Sequence, residues 1–425
     1  MRVLVAVVPL SGHVGPVSGL VAELVARGHE VRVYTGARHL ARFADLGARV
    51  VPWAAARDFD EDDLAAAFPK AAGSRLRTMV ALVRDGFIGT APGQVRDLQA
   101  ALAREPADVL IADSMSFGGM LTGELTGMPW ALVNVLPFNQ EADGPPMGFA
   151  VKPRSSPVGR VRDRLLWLVY RLVTTPMQRA YQRARRQVGL PASTAPYGSD
   201  LMSPWLVLAT GCPGIGRPEN GLLEQVQYVG QLPPAGASLP TMQPAATRPL
   251  VLVTQGTHDI EPDELIRPAL RGLADSDVDV LATLGRRGLT DPGVPVPANA
   301  RVVDVVDFGS VLPETAVFVT NGGWGGVLAA LAARVPVIVA PGTAVDKPEI
   351  ARLVARSGAG IDLRRRRASG PAVADAVRTV VADPRYAERA AAIGVQLAAQ
   401  GGVQRAADLV ETLATSRLPV RRPNP

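Results

Sequence analysis

The chain has 425 residues, of which 47% are hydrophobic and 20% charged. That composition reads as an ordinary globular chain, excludes a disordered one and leaves room for two or three domains with sizeable cores. The single cysteine, Cys212, excludes an internal disulfide and a cysteine-based metal cluster and fits a reducing, cytoplasmic compartment. A net charge of +6 admits anionic partners, whether nucleic acid, membrane or small molecule. The opening Met1–Pro9 reads as too short for a signal peptide, and no apolar run reaches the ~18 residues of a membrane span.

Val3–Val8 predicts a buried strand, Leu10–Pro16 the loop after it, Val17–Arg27 a helix with Leu20, Val21, Leu24 and Val25 on one face, and Val31–Tyr34 a second strand. This order opens a doubly wound α/β domain. His13 then falls at the carboxyl edge of the first strand, where such sheets bind ligands. His29 sits in a helix-to-strand turn and is expected to bond to backbone, and His39 is placed on a surface helix. The acidic run Asp58–Asp63 reads as the solvated start of a helix, because carboxylates favour helix N-termini, rather than as a metal site.

Ala107–Asp113 is a further buried strand ending in an acid, with Phe117-Gly-Gly119 opening the next helix, and Pro129–Val135 is another strand. The loop Leu136–Phe149 is rich in apolar and turn residues. Phe117, Phe138, Met147 and Phe149 are candidates for the wall of a pocket for an apolar small molecule, with a packed surface loop as the alternative. Lys152–Arg186 carries ten Lys/Arg residues around the apolar run Leu165–Val173. We expect a helix packed on its own domain through that run with basic residues outward; a peripheral membrane contact stays open. Ser203–Ala209 and Val226–Pro234 close the first domain, and Ala235–Thr247, rich in Pro, Ala and Ser, reads as a hinge.

A second α/β unit begins at Pro249–Thr254, followed by the loop Gln255-Gly-Thr-His258. Later come the buried strand Val317–Thr320, a turn holding Gly322, Gly323, Gly325 and Gly326, a helix over Val327–Ala333 and a strand over Val335–Ala340. A glycine-rich turn opening a helix offers backbone N–H groups at the positive end of the helix dipole and suits a phosphate. The pattern is neither a P-loop nor a Gly-x-Gly-x-x-Gly fingerprint, and the glycines alone leave ligand-free tight packing open. The second strand runs into a loop with Asp346 and Lys347. Gly358–Leu363 gives another strand, Arg364–Arg367 a solvated charge run and Val403–Thr415 the last helix, before a Pro/Arg tail expected to be disordered.

Asn321-Gly-Gly-Trp324-Gly-Gly326, the following helix and strand, and Asp346-Lys347-Pro348-Glu349 together resemble the donor-binding signature of GT-B glycosyltransferases. The branch they are similar to is the inverting, nucleotide-sugar-dependent family 1 enzymes that glycosylate natural products in actinomycetes. The resemblance implies two Rossmann-like, doubly wound α/β domains facing across a cleft. Residues 1–232 would form an acceptor-binding domain, 233–247 the linker, 248–395 the donor-binding domain, and 396–425 a helix returning to the first domain plus the tail. It further implies transfer of a sugar from a UDP- or TDP-sugar to a hydroxyl of a hydrophobic small molecule. No metal, no other cofactor and no nucleic acid partner would be needed, and the enzyme would be a monomer or homodimer.

By the same resemblance Gly12-His13-x-x-Pro16 carries the general base and Asp113 orients it. Thr254, Gly256, Thr257 and residues 321–326 hold the diphosphate, Val306 lies near the nucleobase, and Asp346 and Lys347 contact the sugar. The signature departs from the family at several places: Asn321 stands where a phosphate-binding histidine is usual, Gly325 and Gly326 where Asn and Ser/Thr are common, and Lys347 where glutamine is usual. Three other readings stay open: a nucleotide-sugar 2-epimerase on the same fold, a non-catalytic auxiliary protein, which the altered turn permits, and, least favoured for want of a dinucleotide fingerprint, a nucleotide-dependent oxidoreductase.

Overall fold

A computed structural model of the chain describes residues 1–63, 68, 80–138, 145–146, 149, 151, 156–195, 201–216, 219, 222–236, 248–256, 261–342, 346–364 and 367–422. The chain forms two compact units. The first comprises Met1–Thr210, Pro218–Ala237 and Gly401–Pro425, the second Gly211–Arg217 and Ser238–Gln400. The short excursion 211–217 is absent from a simple split at residues 233–247. Its Cys212 and Ile215 join the same core as Ile393 and Leu397 of the second unit.

The first unit is built on seven parallel strands: β1 (Arg2–Ala6), β2 (Glu30–Thr35), β3 (Arg49–Pro52), β4 (Val109–Asp113), β5 (Trp130–Asn134), β6 (Leu206–Thr210) and β7 (Val226–Gly230), in the order β3-β2-β1-β4-β5-β6-β7. Its strands are apolar throughout because both faces are covered. Val3 and Val5 point into a core with Val17, Leu20 and Leu24, while Leu4 and Ala6 point into another with Phe87, Leu98 and Phe117. Leu20 and Leu24 lie on helix α1 (Ser11–Ala26) and are fully buried, each contributing about 2 kcal/mol.

Helix α1 starts at Ser11, so His13 stands in its first turn and not in a loop as expected. The longer helices that follow include α2 (Gly89–Arg104), α3 (Phe117–Thr126) and α4 (Pro157–Gln187). The expectation for α4 is overturned: Leu165, Leu168, Val169 and Leu172 face solvent, and the helix packs through Gly159, Asp163, Thr174, Met177, Tyr181 and Ala184.

The second unit repeats the topology with six parallel strands: β8 (Leu250–Thr254), β9 (Asp279–Thr283), β10 (Ala300–Val303), β11 (Thr315–Thr320), β12 (Val337–Val339) and β13 (Gly360–Asp362), in the order β10-β9-β8-β11-β12-β13. Its site-bearing helices are α5 (Trp324–Ala332) and α6 (Lys347–Ser357). In each sheet the strand order reverses once, between β1 and β4 and between β8 and β11. Such switch points, at the carboxyl ends of the strands, are where open α/β sheets bind ligands.

Helix α7 (Pro384–Ala399) ends the second unit, and α8 (Gly402–Ser416) belongs to the first. Leu409, Val410 and Leu413 of α8 fill the core beneath β1. Arg27 pairs with Asp408 at 2.7 Å, and His29 meets Glu411 at 2.7 Å. His29 therefore bonds to a carboxylate of the last helix, not to backbone as expected. The described part of the tail, through Arg422, also bonds back to the first unit, where disorder was expected: Val420 N–H donates to the Trp205 carbonyl and Arg422 N–H to that of Glu224, each at 2.9 Å.

Candidate active site

Strands β1 and β4 are paired, Ala6 opposite Ala112, so their carboxyl ends bring the first turn of α1 beside Asp113. Asp113 has no solvent exposure, and the His13 side chain is 12% exposed. The ring Nδ1 bonds to Asp113 Oδ1. The carboxylate also accepts the N–H of Val8 at 3.1 Å and of Met115 at 3.3 Å. With backbone donors on both oxygens, Asp113 serves as acceptor, which assigns the proton to Nδ1 and leaves the lone pair on Nε2. A histidine with its remote nitrogen basic and its near nitrogen held by a buried acid is equipped to take a proton.

Glu61 was not anticipated here. It opens the short 3-10 turn Glu61–Asp63, as a helix start was expected here, but its side chain is 4% exposed and not solvated. Its carboxylate accepts the N–H of Ser11 at 2.8 Å and also the Ser11 hydroxyl. The residue preceding α1, Leu10, offers no side-chain cap, so Glu61 caps the helix from a distance and its charge suits the helix dipole. His39 lies 3.8 Å from the same carboxylate and is buried, not on the surface as expected. Burial pushes its imidazole below the ordinary range, with Glu61 opposing. The acids of Asp58–Asp63 look alike in sequence; only the fold singles out Glu61. Among the described residues no three His, Cys, Asp or Glu side chains converge as a metal site would need.

In the second unit, three adjacent strands end alike. Thr283, Thr254 and Thr320 are in register across β9, β8 and β11. Each hydroxyl accepts the N–H two residues on, from Gly285 at 3.4 Å, Gly256 at 3.1 Å and Gly322 at 3.4 Å. The glycines adopt φ of +74°, +73° and +91°, the left-handed region that side chains resist. Thr283 and Thr320 were missed by sequence reasoning, although the Thr-x-Gly repeat at three strand ends is legible in hindsight.

Helix α5 begins at Trp324, three residues earlier than expected, with Gly323 as its N-cap. Gly325 and Gly326 are thus helical, and their N–H groups precede the first intrahelical bond, from Val327 N–H to the Gly323 carbonyl at 3.0 Å. A Cβ at Gly323 or Gly325 would meet no atom within 4 Å. Local packing does not demand glycine there; open space lies in front of both. The Lys347 carbonyl lies 3.4 Å, and its Cβ 3.6 Å, from where a Cβ on Gly322 would stand. The glycine turn and the Asp346–Lys347 loop are therefore brought together, with Asp346 as the N-cap residue of α6 and Lys347 buried.

Three other expected donor residues are buried. Asn321 is 4% exposed, and its side-chain amide donates to the Gln255 carbonyl, tying the β11 corner to the β8 corner. Trp324 and Val306 are both buried in the core around Phe318. Thr257 lies outside the described residues.

Among the acceptor candidates, Phe117 lies in the interior of the first unit. It has no exposed surface and packs edge-to-face on Tyr181 with ring centres 6.1 Å apart. Phe138 is buried in the same core, Phe149 is half-buried, and Met147 lies outside the described residues. A concavity of about 530 Å³ between α2 and the β3–α2 segment is lined by Arg57, Asp85, Arg96 and Gln187, among others, and includes none of the expected site residues.

Residues 267–413 match the family described as "Erythromycin biosynthesis protein CIII-like, C-terminal domain". The chain is 38% identical over 424 residues to 4'-demethylrebeccamycin synthase of Lentzea aerocolonigenes, covering 97% of this chain and 99% of that protein. It is 30% identical over 419 residues to UDP-glucosyltransferase B1 of Starmerella bombicola, covering 92% and 93%. The crystal structure of the glycotransferase of kitacinnamycin superposes with a TM-score of 0.74 at 25% identity, over 98% of this chain and 99% of that one. CalG4, the calicheamicin glycosyltransferase, superposes with a TM-score of 0.72 at 23% identity, over 98% of each chain, a likeness of fold.

Two parallel sheets of this order, with neighbours of this kind, define the GT-B class. Within it, the chain belongs to the natural-product glycosyltransferases that transfer sugar from a nucleotide-sugar.

Proposed function

We propose that this enzyme moves a sugar from a UDP- or TDP-sugar to a hydroxyl of a largely apolar natural product, with inversion at the anomeric carbon and His13 as general base. The single observation behind the reading is the His13–Asp113 pair at the β1/β4 switch point, with Nδ1 committed to the buried carboxylate. The acceptor hydroxyl gives its proton to Nε2 as its oxygen forms a bond to the anomeric carbon. The bond from that carbon to the diphosphate breaks on the opposite face, which inverts the configuration. Asp113 stabilises the imidazolium that results.

The departing diphosphate gains negative charge. In this reading the first-turn N–H groups of α5 and the ammonium of Lys347, a residue whose backbone carbonyl and Cβ lie beside Gly322, stabilise it. These groups supply positive charge to the leaving group from the chain itself, so the reaction is proposed to run without a metal cofactor. That the acceptor is a natural product follows the names of relatives such as 4'-demethylrebeccamycin synthase; its reacting hydroxyl and its apolar character are part of the proposal.

The test is a panel of UDP- and TDP-sugars incubated with aromatic and polyketide acceptors, read by mass spectrometry, with the anomeric configuration of donor and product assigned by NMR. A glycosylated acceptor of opposite configuration is expected. Retention of configuration would overturn the mechanism, and turnover of the donor without an acceptor would point to epimerisation instead.

A further inference from the structure

The first half of helix α4 has no part in the chemistry above, yet it carries six of the twelve exposed large apolar side chains among the described residues. Val158, Val161, Leu165, Leu168, Val169 and Leu172 are 77%, 56%, 58%, 54%, 44% and 67% exposed. Their spacing puts them on one stripe of an α-helix about 21 Å long, opposite the face that packs on the domain. Isolated exposed apolar residues are ordinary; a continuous stripe marks a contact surface.

Charge decides what covers it. Exposed Arg160, Arg164 and Arg171 flank the stripe, and exposed Arg179, Arg183 and Arg186 continue it toward the C-terminal end. The helix holds eight arginines and one acid. That acid, Asp163, lies on the buried face and pairs with Arg162 at 2.6 Å. A symmetric dimer through this face would set the same arginine-rich patch against itself. An anionic bilayer meets both requirements, with phosphates for the guanidinium groups and an acyl boundary for the valines and leucines. Among the described residues no helix is long and apolar enough to cross a membrane, so the contact is one of a helix lying in the interface.

We propose that the exposed face of α4 docks on the surface of an anionic phospholipid bilayer. The inference rests on this helix alone and stands or falls independently of the transfer reaction.

The test is flotation of the full chain with vesicles of phosphatidylcholine alone or mixed with phosphatidylglycerol, at low and high salt. Binding to the mixed vesicles, weakened by salt, is expected, with little binding to phosphatidylcholine. The triple variant Leu165→Glu/Leu168→Glu/Leu172→Glu should lose at least tenfold in binding, and Arg160→Ala/Arg164→Ala/Arg171→Ala about a hundredfold. Both should transfer sugar to a dissolved acceptor at the unaltered rate. As a measurement that does not depend on those variants folding, Leu168→Cys carrying an environment-sensitive fluorophore should shift to the blue on adding mixed vesicles; the native Cys212 is buried. No binding at low salt, binding that survives the leucine changes, or an unshifted fluorophore would overturn the proposal. So would a dimer in sedimentation equilibrium that the leucine changes dissociate, which would assign the face to a second copy.

Discussion

The Glu61 carboxylate accepts the backbone N–H of Ser11, fifty positions earlier in the chain, and so holds the first turn of the helix that carries His13. Its oxygens also lie 3.7 Å from Arg38 Nε and 3.8 Å from His39 Nε2. Glu61→Ala removes the cap and leaves the Ser11 N–H without its acceptor. A loss of about 1–3 kcal/mol in stability is expected, read by urea unfolding, with kcat falling more than donor KM rises. Glu61→Gln keeps an acceptor oxygen and should recover most of the stability. A Glu61→Ala variant as stable and fast as the parent would dismiss the role.

For the base itself, His13→Ala is expected to reduce transfer about a hundred- to ten-thousandfold while donor affinity, measured by calorimetry, stays within about twofold, the uncertainty of such a comparison. Asp113→Asn, which keeps the shape of the carboxylate but not its charge, should also slow transfer while donor affinity holds. Full transfer by the His13→Ala enzyme would refute the assignment.

Gly325 separates a ligand-driven glycine from a packing-driven one. Because a Cβ there meets nothing within 4 Å and the residue is helical, Gly325→Ala should stabilise the fold by about 0.5–1 kcal/mol. If the diphosphate approaches the backbone at this point, the same change should weaken binding of UDP or TDP at least tenfold. A variant that gains stability and keeps donor affinity would move the diphosphate elsewhere.

Lys347 is the one side-chain cation that the departures from the family pattern add at this turn. Lys347→Met retains the apolar stem and deletes the charge. Donor affinity should fall roughly 10- to 100-fold, the range of a lost hydrogen bond to a charged group, and become less sensitive to salt. Calorimetry showing an unchanged dissociation constant would remove Lys347 from the site.

His39 predicts a pH dependence of stability. Burial depresses its pKa below the ordinary 6.5, Arg38 and Arg42 add to this, and Glu61 opposes it without reversing the direction. The unfolded chain therefore takes up a proton that the folded chain refuses. The contribution is fully present above about pH 6.5 and is lost as the pH falls from there through the folded-state pKa. Urea midpoints between pH 7.5 and 5.5 should fall for the parent and fall less for His39→Gln; parallel curves would contradict the assignment.

Much of the architecture was legible because parallel strands buried on both faces read as unbroken apolar runs. Val3–Val8, Pro249–Thr254 and Val317–Thr320 each lie on a strand within a residue or two. The pairing of His13 with Asp113 was legible only through the resemblance, since no spacing rule links positions 100 residues apart. Helix starts were misjudged where glycine and proline stand in the first turns, as at Gly12, Gly15 and Pro16 of α1 and Gly325 and Gly326 of α5. There an external carboxylate, or an open N-terminus, replaces the propensity that a sequence reading relies on. Glu61 and α4 failed for a shared reason: composition reports that a segment is acidic or apolar, but not which way its side chains turn.

Placing α8 in the first unit has a consequence for biosynthesis. A ribosome makes residues 1–237 first, yet the core under β1 lacks Leu409, Val410 and Leu413 until the final helix has been translated. The first lobe must wait, partly uncovered, while the whole of the second lobe is made and folds. Nascent chains are thus at greatest risk of proteolysis or clumping in their oldest portion, and a premature stop codon near position 400 would damage the lobe that was synthesised earliest.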